Sequence, residues 1–126
     1  MLAPRLNILR DVVEGAFWQS YSEDPYLTSQ MGLHAMAGIQ SHGTMANAKQ
    51  LAASSTGASN GDANSVVDLQ TLHEVYLPGY EYVLKAGVAT IMCSYVAVSF
   101  TNFSRFVLLN ASLRSMVCNP AKIPNC

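Results

Sequence analysis

The sequence predicts an α/β fold in which parallel strands are joined by crossover helices. Three observations predict it. Apolar, strand-like runs at residues 6–9, 44–53 and 88–98 alternate with stretches of helical periodicity. Capping residues, glycine and proline stand at the expected helix boundaries. The last run, VATIMCSYVAV, is almost continuously apolar, as in a strand covered on both faces. Half of the 126 residues are apolar, 12% are charged and the net charge is −1. That composition is globular, and the length suits one domain over residues 1–126 with its own core.

The elements follow in order. Residues 6–9 form a short strand ending at Arg10 and Asp11, and residues 12–23 are irregular and hold the only tryptophan, Trp18. Asp24 caps a helix that Pro25 opens. Its apolar stripe is Leu27, Met31, Ala35, Met36 and Ile39, and Gly43 stops it. Residues 44–53 read as a buried strand of small residues, followed by a polar loop, SSTGASNGDAN. Asp68 caps a second helix with Leu69, Leu72, Val75, Tyr76, Tyr80, Val83 and Leu84 on its inner face. Pro78 and Gly79 break or kink it, and Gly87 ends it. After the strand at 88–98 comes a third helix over residues 103–116, with Phe106, Leu109 and Leu113 on one side, and an irregular tail, CNPAKIPNC.

Several functions lack their residues. There is no G-x-G-x-x-G after a strand and no G-x-x-x-x-G-K-[ST], so no amide cradle for a nucleotide is encoded. His34, His42 and His73 lie on separate elements without metal-ligand spacing and read as surface histidines. No G-x-S-x-G occurs, and no Cys/His pair suggests itself. Near-neutral charge offers no basic surface to nucleic acid or an anionic membrane, and no apolar run reaches the ~18 residues of a membrane span. Pro4, Asn7, Arg10 and Asp11 interrupt the apolar stretch that a signal peptide would need, so none is expected. Cys93, Cys118 and Cys126 make an odd count, of which the last two could close a small loop. Glu23 and Asp24 are explained by the helix start they adjoin.

One residue needs a reason. Lys49 sits in the small, apolar run ANAKQLAA beside Gln50. A lysine inside a strand is costly unless it has a partner or lines a pocket. It falls near the C-terminal end of the second strand, Tyr95 falls near the end of the third, and the segment 7–21 follows the first. In a barrel of parallel strands these ends converge on one mouth, where a lysine can donate to a polyhydroxylated ligand. The alternative is a lysine snorkelling from the rim.

The segments LNILRD, SYSEDPYLTSQM, GIQSHGTMANAKQLAA, NSVVDLQTLHEVYLPGYEYVLKAGVATIMCSYVAV and NFSRFVLLNASLR, in this order, resemble the N-terminal domain of glycoside hydrolase family 3, the β-glucosidase and β-xylosidase type enzymes. The resemblance covers residues 3–116. It implies a partial (β/α)8, TIM-barrel-like fragment of three to four βα units. It also implies a β-linked glucoside or oligosaccharide as partner, and no cofactor.

The family's sugar-gripping Lys-His pair falls on Lys49 and Gln50, its sugar-binding arginine on Ala16, a following glutamate on Gln19 and an asparagine on Val96. Gln50 still donates and accepts. Losing the arginine removes on the order of 2–4 kcal/mol of binding. Trp18 and Tyr95 are further pocket candidates, Trp18 by stacking on a sugar face or else by sitting in the core. The family's nucleophile, an aspartate in a Ser-Asp-Trp type motif, has no counterpart in these residues, and neither does the acid/base carboxylate. Retaining hydrolysis needs two carboxylates ~5 Å apart. The chain is therefore expected to be inactive alone, or to be a non-catalytic carbohydrate- or partner-binding relative. A small α/β binding protein outside the family is the remaining alternative. Open barrel edges would favour self-association. Family members are often secreted, and the sequence assigns no compartment.

Overall fold

The computed structural model describes residues 1–54, 64–94 and 96–98. Within them the chain runs through a 3₁₀ turn at Phe17–Gln19, helix α1 (Pro25–Ser41), strand β1 (Asn47–Leu51), strand β2 (Asn64–Ser65) and the short helix α2 (Leu69–Thr71). A π-helical turn at Leu72–Tyr76, helix α3 (Pro78–Lys85), strand β3 (Thr90–Cys93) and strand β4 (Ala97–Val98) follow. The expected third helix, the tail with Cys118 and Cys126, Tyr95 and most of the polar loop lie outside the described residues.

β1 lies between two parallel neighbours. On one side Leu6 donates its N–H to the Lys49 carbonyl at 2.8 Å and Lys49 donates to the Pro4 carbonyl at 2.9 Å, making Arg5 and Lys49 register partners. On the other side β3 runs parallel to β1, with Asn47 opposite Thr90 and Lys49 opposite Met92. β2 and β4 form a second parallel pair. A helix precedes each new strand of the main sheet, so the order is that of successive βα units.

The first strand is corrected in position. Its pairing centres on Arg5 rather than on residues 6–9, since Leu9 donates to the Ser22 carbonyl instead of to β1. The second strand is shorter than residues 44–53, because Thr44 and Met45 are exposed beyond the sheet. The run 88–98 is two strands, and it is not covered on both faces: Thr90 and Cys93 are exposed and Ile91 and Met92 half-buried. Asn64 and Ser65, expected in the loop, pair with β4.

The helix boundaries agree with their caps. Asp24 accepts the Tyr26 N–H at 2.8 Å, Pro25 takes the first helical position, and Gly43 leaves α1 at φ +73°. Asp68 accepts the Thr71 N–H at 2.9 Å, which lowers its pKa, and Gly87 adopts φ +85° after α3. Pro78 divides the second helix. Its ring would strike the carbonyl four residues back in a straight helix, and the preceding turn widens, with Leu77 donating to Leu72 at 2.9 Å.

The inner stripe of α1 differs from the expected one. Leu27 and Met31 are exposed, while Thr28, Ser29, Gly32 and Met36 are buried. On the second helix Leu69 is likewise exposed. The reason lies in Leu6, which is fully buried where α1 and α3 pack together. A Cβ on Gly32 would stand 2.2 Å from Leu6 Cδ2, and one on Gly79 would stand 3.6 Å from Leu6 Cβ. Small residues let both helices close on one leucine, where larger apolar side chains would hold them off. Gly32→Ala should therefore destabilise the chain by about 1–3 kcal/mol. In urea denaturation the added Leu6→Ala change should cost less in the Gly32→Ala background than alone, because it vacates the contested space.

Candidate functional site

Side chains alternate across a strand, so with Leu6 turned to the helices, Arg5 and Asn7 face the other way. Lys49, the register partner of Arg5, shares that face. Arg5 is 5% exposed and Asn7 1%, so this face is polar yet closed.

Arg5 spends its donors on two segments. Its Nη1 lies 2.8 Å from Glu14 Oε1, 2.6 Å from the Ala16 carbonyl and 2.7 Å from Ser20 Oγ. Its Nη2 donates to the Ser54 carbonyl at 2.7 Å. The Glu14 carboxylate, buried with it, neutralises the guanidinium, since a buried charge is tolerated when paired and hydrogen-bonded. The 14–20 segment is thus fastened to the first strand and, through Arg5, to Ser54, three residues past the end of β1. Ala53 makes that last link possible by taking φ +54°, a left-handed conformation that costs a non-glycine residue about 1 kcal/mol or more.

Asn7 extends the cluster. Its Nδ2 donates to the same Ser54 carbonyl at 3.0 Å, and its Oδ1 lies 2.5 Å from the Tyr80 hydroxyl, itself 2.7 Å from the Gln50 carbonyl. One phenolic proton serves both acceptors. Burial holds that proton well above the ordinary tyrosine value of 10.0, against the smaller opposing pull of Arg5.

The expected site residues distribute as follows. Lys49 and Gln50 are adjacent in β1, half-buried, on the strand that carries the network. Among the described residues the Lys49 ammonium has no hydrogen-bond or ion-pair partner. Trp18 is no core residue: it is 68% exposed on the 3₁₀ turn, edge-on to Phe17 at 6.1 Å. Arg5 holds that turn's N-terminal flank against the sheet through Ala16, the residue on which the resemblance sets an arginine. Tyr95 lies outside the described residues. His34, His42 and His73 are exposed, and no cluster of potential metal ligands occurs among the described residues. No described helix is long and apolar enough to cross a membrane.

Residues 1–117 match the glycosyl hydrolase family 3 N terminal domain. The chain belongs to glycosyl hydrolase family 3. It is 41% identical over 96 residues to a beta-glucosidase of Rhizobium radiobacter, covering 75% of this chain and 12% of that protein. It is 35% identical over 96 residues to thermostable beta-glucosidase B of Acetivibrio thermocellus, covering 75% and 13%. Among solved structures it superposes on DesR, a beta-glucosidase from Streptomyces venezuelae in complex with D-glucose. There the TM-score is 0.83 and the identity 35%, with 90% of this chain and 15% of that one covered. Beta-glucosidase 3B from Thermotoga neapolitana, in complex with glucose, gives a TM-score of 0.83 at 28% identity, covering 92% and 17%. The chain thus spans about an eighth of the length of these curated family 3 relatives. The family 3 N-terminal domain in the solved relatives is a TIM barrel, and the parallel strands described above are of that architecture.

Sequence reasoning missed Arg5, Ser54 and Tyr80 as members of this polar cluster. The signal for Arg5 was the one that singled out Lys49, a lone cation inside an apolar run, here LAPRLNIL. Nothing local marks Ser54, whose contribution is a backbone carbonyl. Tyr80→Phe should cost about 1–3 kcal/mol at neutral pH, since it orphans two buried acceptors. Above pH 10.0 the unfolded phenol ionises while the native one keeps its proton, so stability falls as pH rises. The variant should lose stability less steeply over that alkaline range, as followed by urea denaturation at successive pH values.

Proposed function

We propose that this chain supplies part of the sugar-gripping wall of a β-glucosidase-type glycoside hydrolase, with Lys49 as the donor to hydroxyls of a terminal β-linked glucose. The observation that carries the reading is the Lys49 ammonium, without a partner among the described residues and half-buried on the polar face of β1 beside a cation already neutralised by Glu14. An ammonium with three donors is suited to several hydroxyl oxygens at once. Gln50 follows it in the strand and adds a group that both donates and accepts. Trp18 offers an exposed aromatic face on the turn that Arg5 anchors through Ala16, and Tyr95 is kept as a candidate from its sequence position.

Hydrolysis is a separate matter. The Glu14 carboxylate is bound to Arg5, and the other described carboxylates stand exposed or half-exposed on the surface. Two acids facing each other across a glycosidic bond are what the retaining reaction requires. In this reading the 126-residue chain binds sugar without cleaving it, and its exposed β3 invites association with further chain or with a second copy. A non-catalytic carbohydrate-binding role is the second reading, favoured by Ala16 and Gln50 standing where the family resemblance sets an arginine and a histidine.

The purified chain should leave a chromogenic β-glucoside intact and bind glucose measurably by calorimetry. Lys49→Met should weaken that binding at least tenfold without lowering the melting temperature. Turnover by the chain alone would overturn the division between binding and cleavage. Unchanged glucose affinity in Lys49→Met would remove Lys49 from the site.

A further inference from the structure

A strand turns successive side chains to opposite faces, so neighbours such as Lys49 and Gln50 do not ordinarily serve one ligand. β1 breaks that rule at this point. Lys49 stands opposite Met92 and Leu51 opposite Cys93, so two steps along β1 match one step along β3. Gln50 is left without a partner across that ladder. This is a bulge, a device that bends a strand and re-aims a side chain, and it lets Lys49 and Gln50 turn toward the same side. A residue outside the ladder loses the cross-strand bonds that fix its backbone, and another group must fix it. Here the Gln50 carbonyl accepts from the Tyr80 hydroxyl of α3 at 2.7 Å. Tyr80 is fully buried and its neighbour Gly79 packs close to Leu6, so the ring holds that carbonyl from a fixed place. The ladder resumes one residue on, where Ser94 donates to the Leu51 carbonyl at 2.7 Å.

We propose that Tyr80 is a positioning residue of the sugar site, holding the Gln50 backbone at the bulge so that the Lys49 ammonium and the Gln50 side-chain amide approach hydroxyls of one glucose together. This rests on the reading of Lys49 as a sugar ligand. Tyr80 itself touches no sugar and acts only through the Gln50 carbonyl. A phenylalanine at its position fills the same space and leaves that carbonyl untethered, so the core keeps its packing while the two side chains lose their common aim.

The test is a double-mutant cycle on the full chain, read by calorimetric titration with glucose well below every melting midpoint. Tyr80→Phe should weaken glucose binding about tenfold, and Lys49→Met should then cost no more than about twofold in that background. Partial unfolding of Tyr80→Phe would lower the bound fraction with and without Lys49 alike, and so would leave the Lys49→Met factor unchanged. A Lys49→Met factor that is the same in both backgrounds therefore overturns the proposal and leaves the Lys49 reading intact. A Lys49→Met change without effect in the unaltered chain overturns both. Should Tyr80→Phe fail to fold, proton exchange in the unaltered chain decides. A bond that favours the ligand is favoured by it in return, so glucose should slow exchange of the Tyr80 hydroxyl proton more than that of the Met36 amide in α1. Equal slowing at both would mark general stabilisation and sink the proposal.

Discussion

The carbonyl of Ser54 is the point on which the polar half of the structure depends. It leaves β1 at a left-handed turn and accepts from both Arg5 and Asn7, so the end of one strand is bound to the side chains of the strand beside it. Asn7 then reaches Tyr80 of α3, which in turn reaches the Gln50 carbonyl. Strand ends are where backbone groups lose their ladder partners, and burying them requires replacements. Here the replacements come from side chains of the neighbouring strand, Arg5 and Asn7, and of α3, Tyr80. The apolar half, with Leu6 between two glycines, sets how close the helices come. The polar half sets how the strand ends lie relative to one another.

The legible part of the fold was the part governed by local rules. Asp24 with Pro25, Asp68, Gly43, Gly87 and Pro78 act within one or two turns of chain, and each does what its chemistry requires at the position expected. The inner face of α1 was misread because periodicity counts hydrophobicity, while contact with Leu6 selects for size: Gly32 and Ser29 are inside and Met31 is out. The loop after β1 hid β2 because two polar residues, Asn64 and Ser65, pair through their backbones alone. β3 reads as a core strand in sequence, yet in this chain its ends are open.

The site divided in a similar way. Lys49 was visible as a charge in an apolar strand, and the family resemblance supplied its meaning. Arg5 carried the same signature and was overlooked, while Glu14 gains a role only once its distance to Arg5 is known. A residue's partner forty-nine positions away, as Ser54 is from Arg5, leaves no periodic trace. The substituted alanine at position 16 also changes sense: its carbonyl is an anchor for the neighbouring strand's arginine, a backbone contact that any residue there would offer.

The chain has one tryptophan, and it stands two-thirds exposed on the turn that Arg5 secures rather than in the core. Its emission is consequently a reporter of that turn's own environment. Light from Trp18 registers the detachment of a short surface segment, whereas far-ultraviolet circular dichroism registers the melting of helices α1 and α3. The two signals share a single transition only to the extent that the buried arginine binds the segment to the rest.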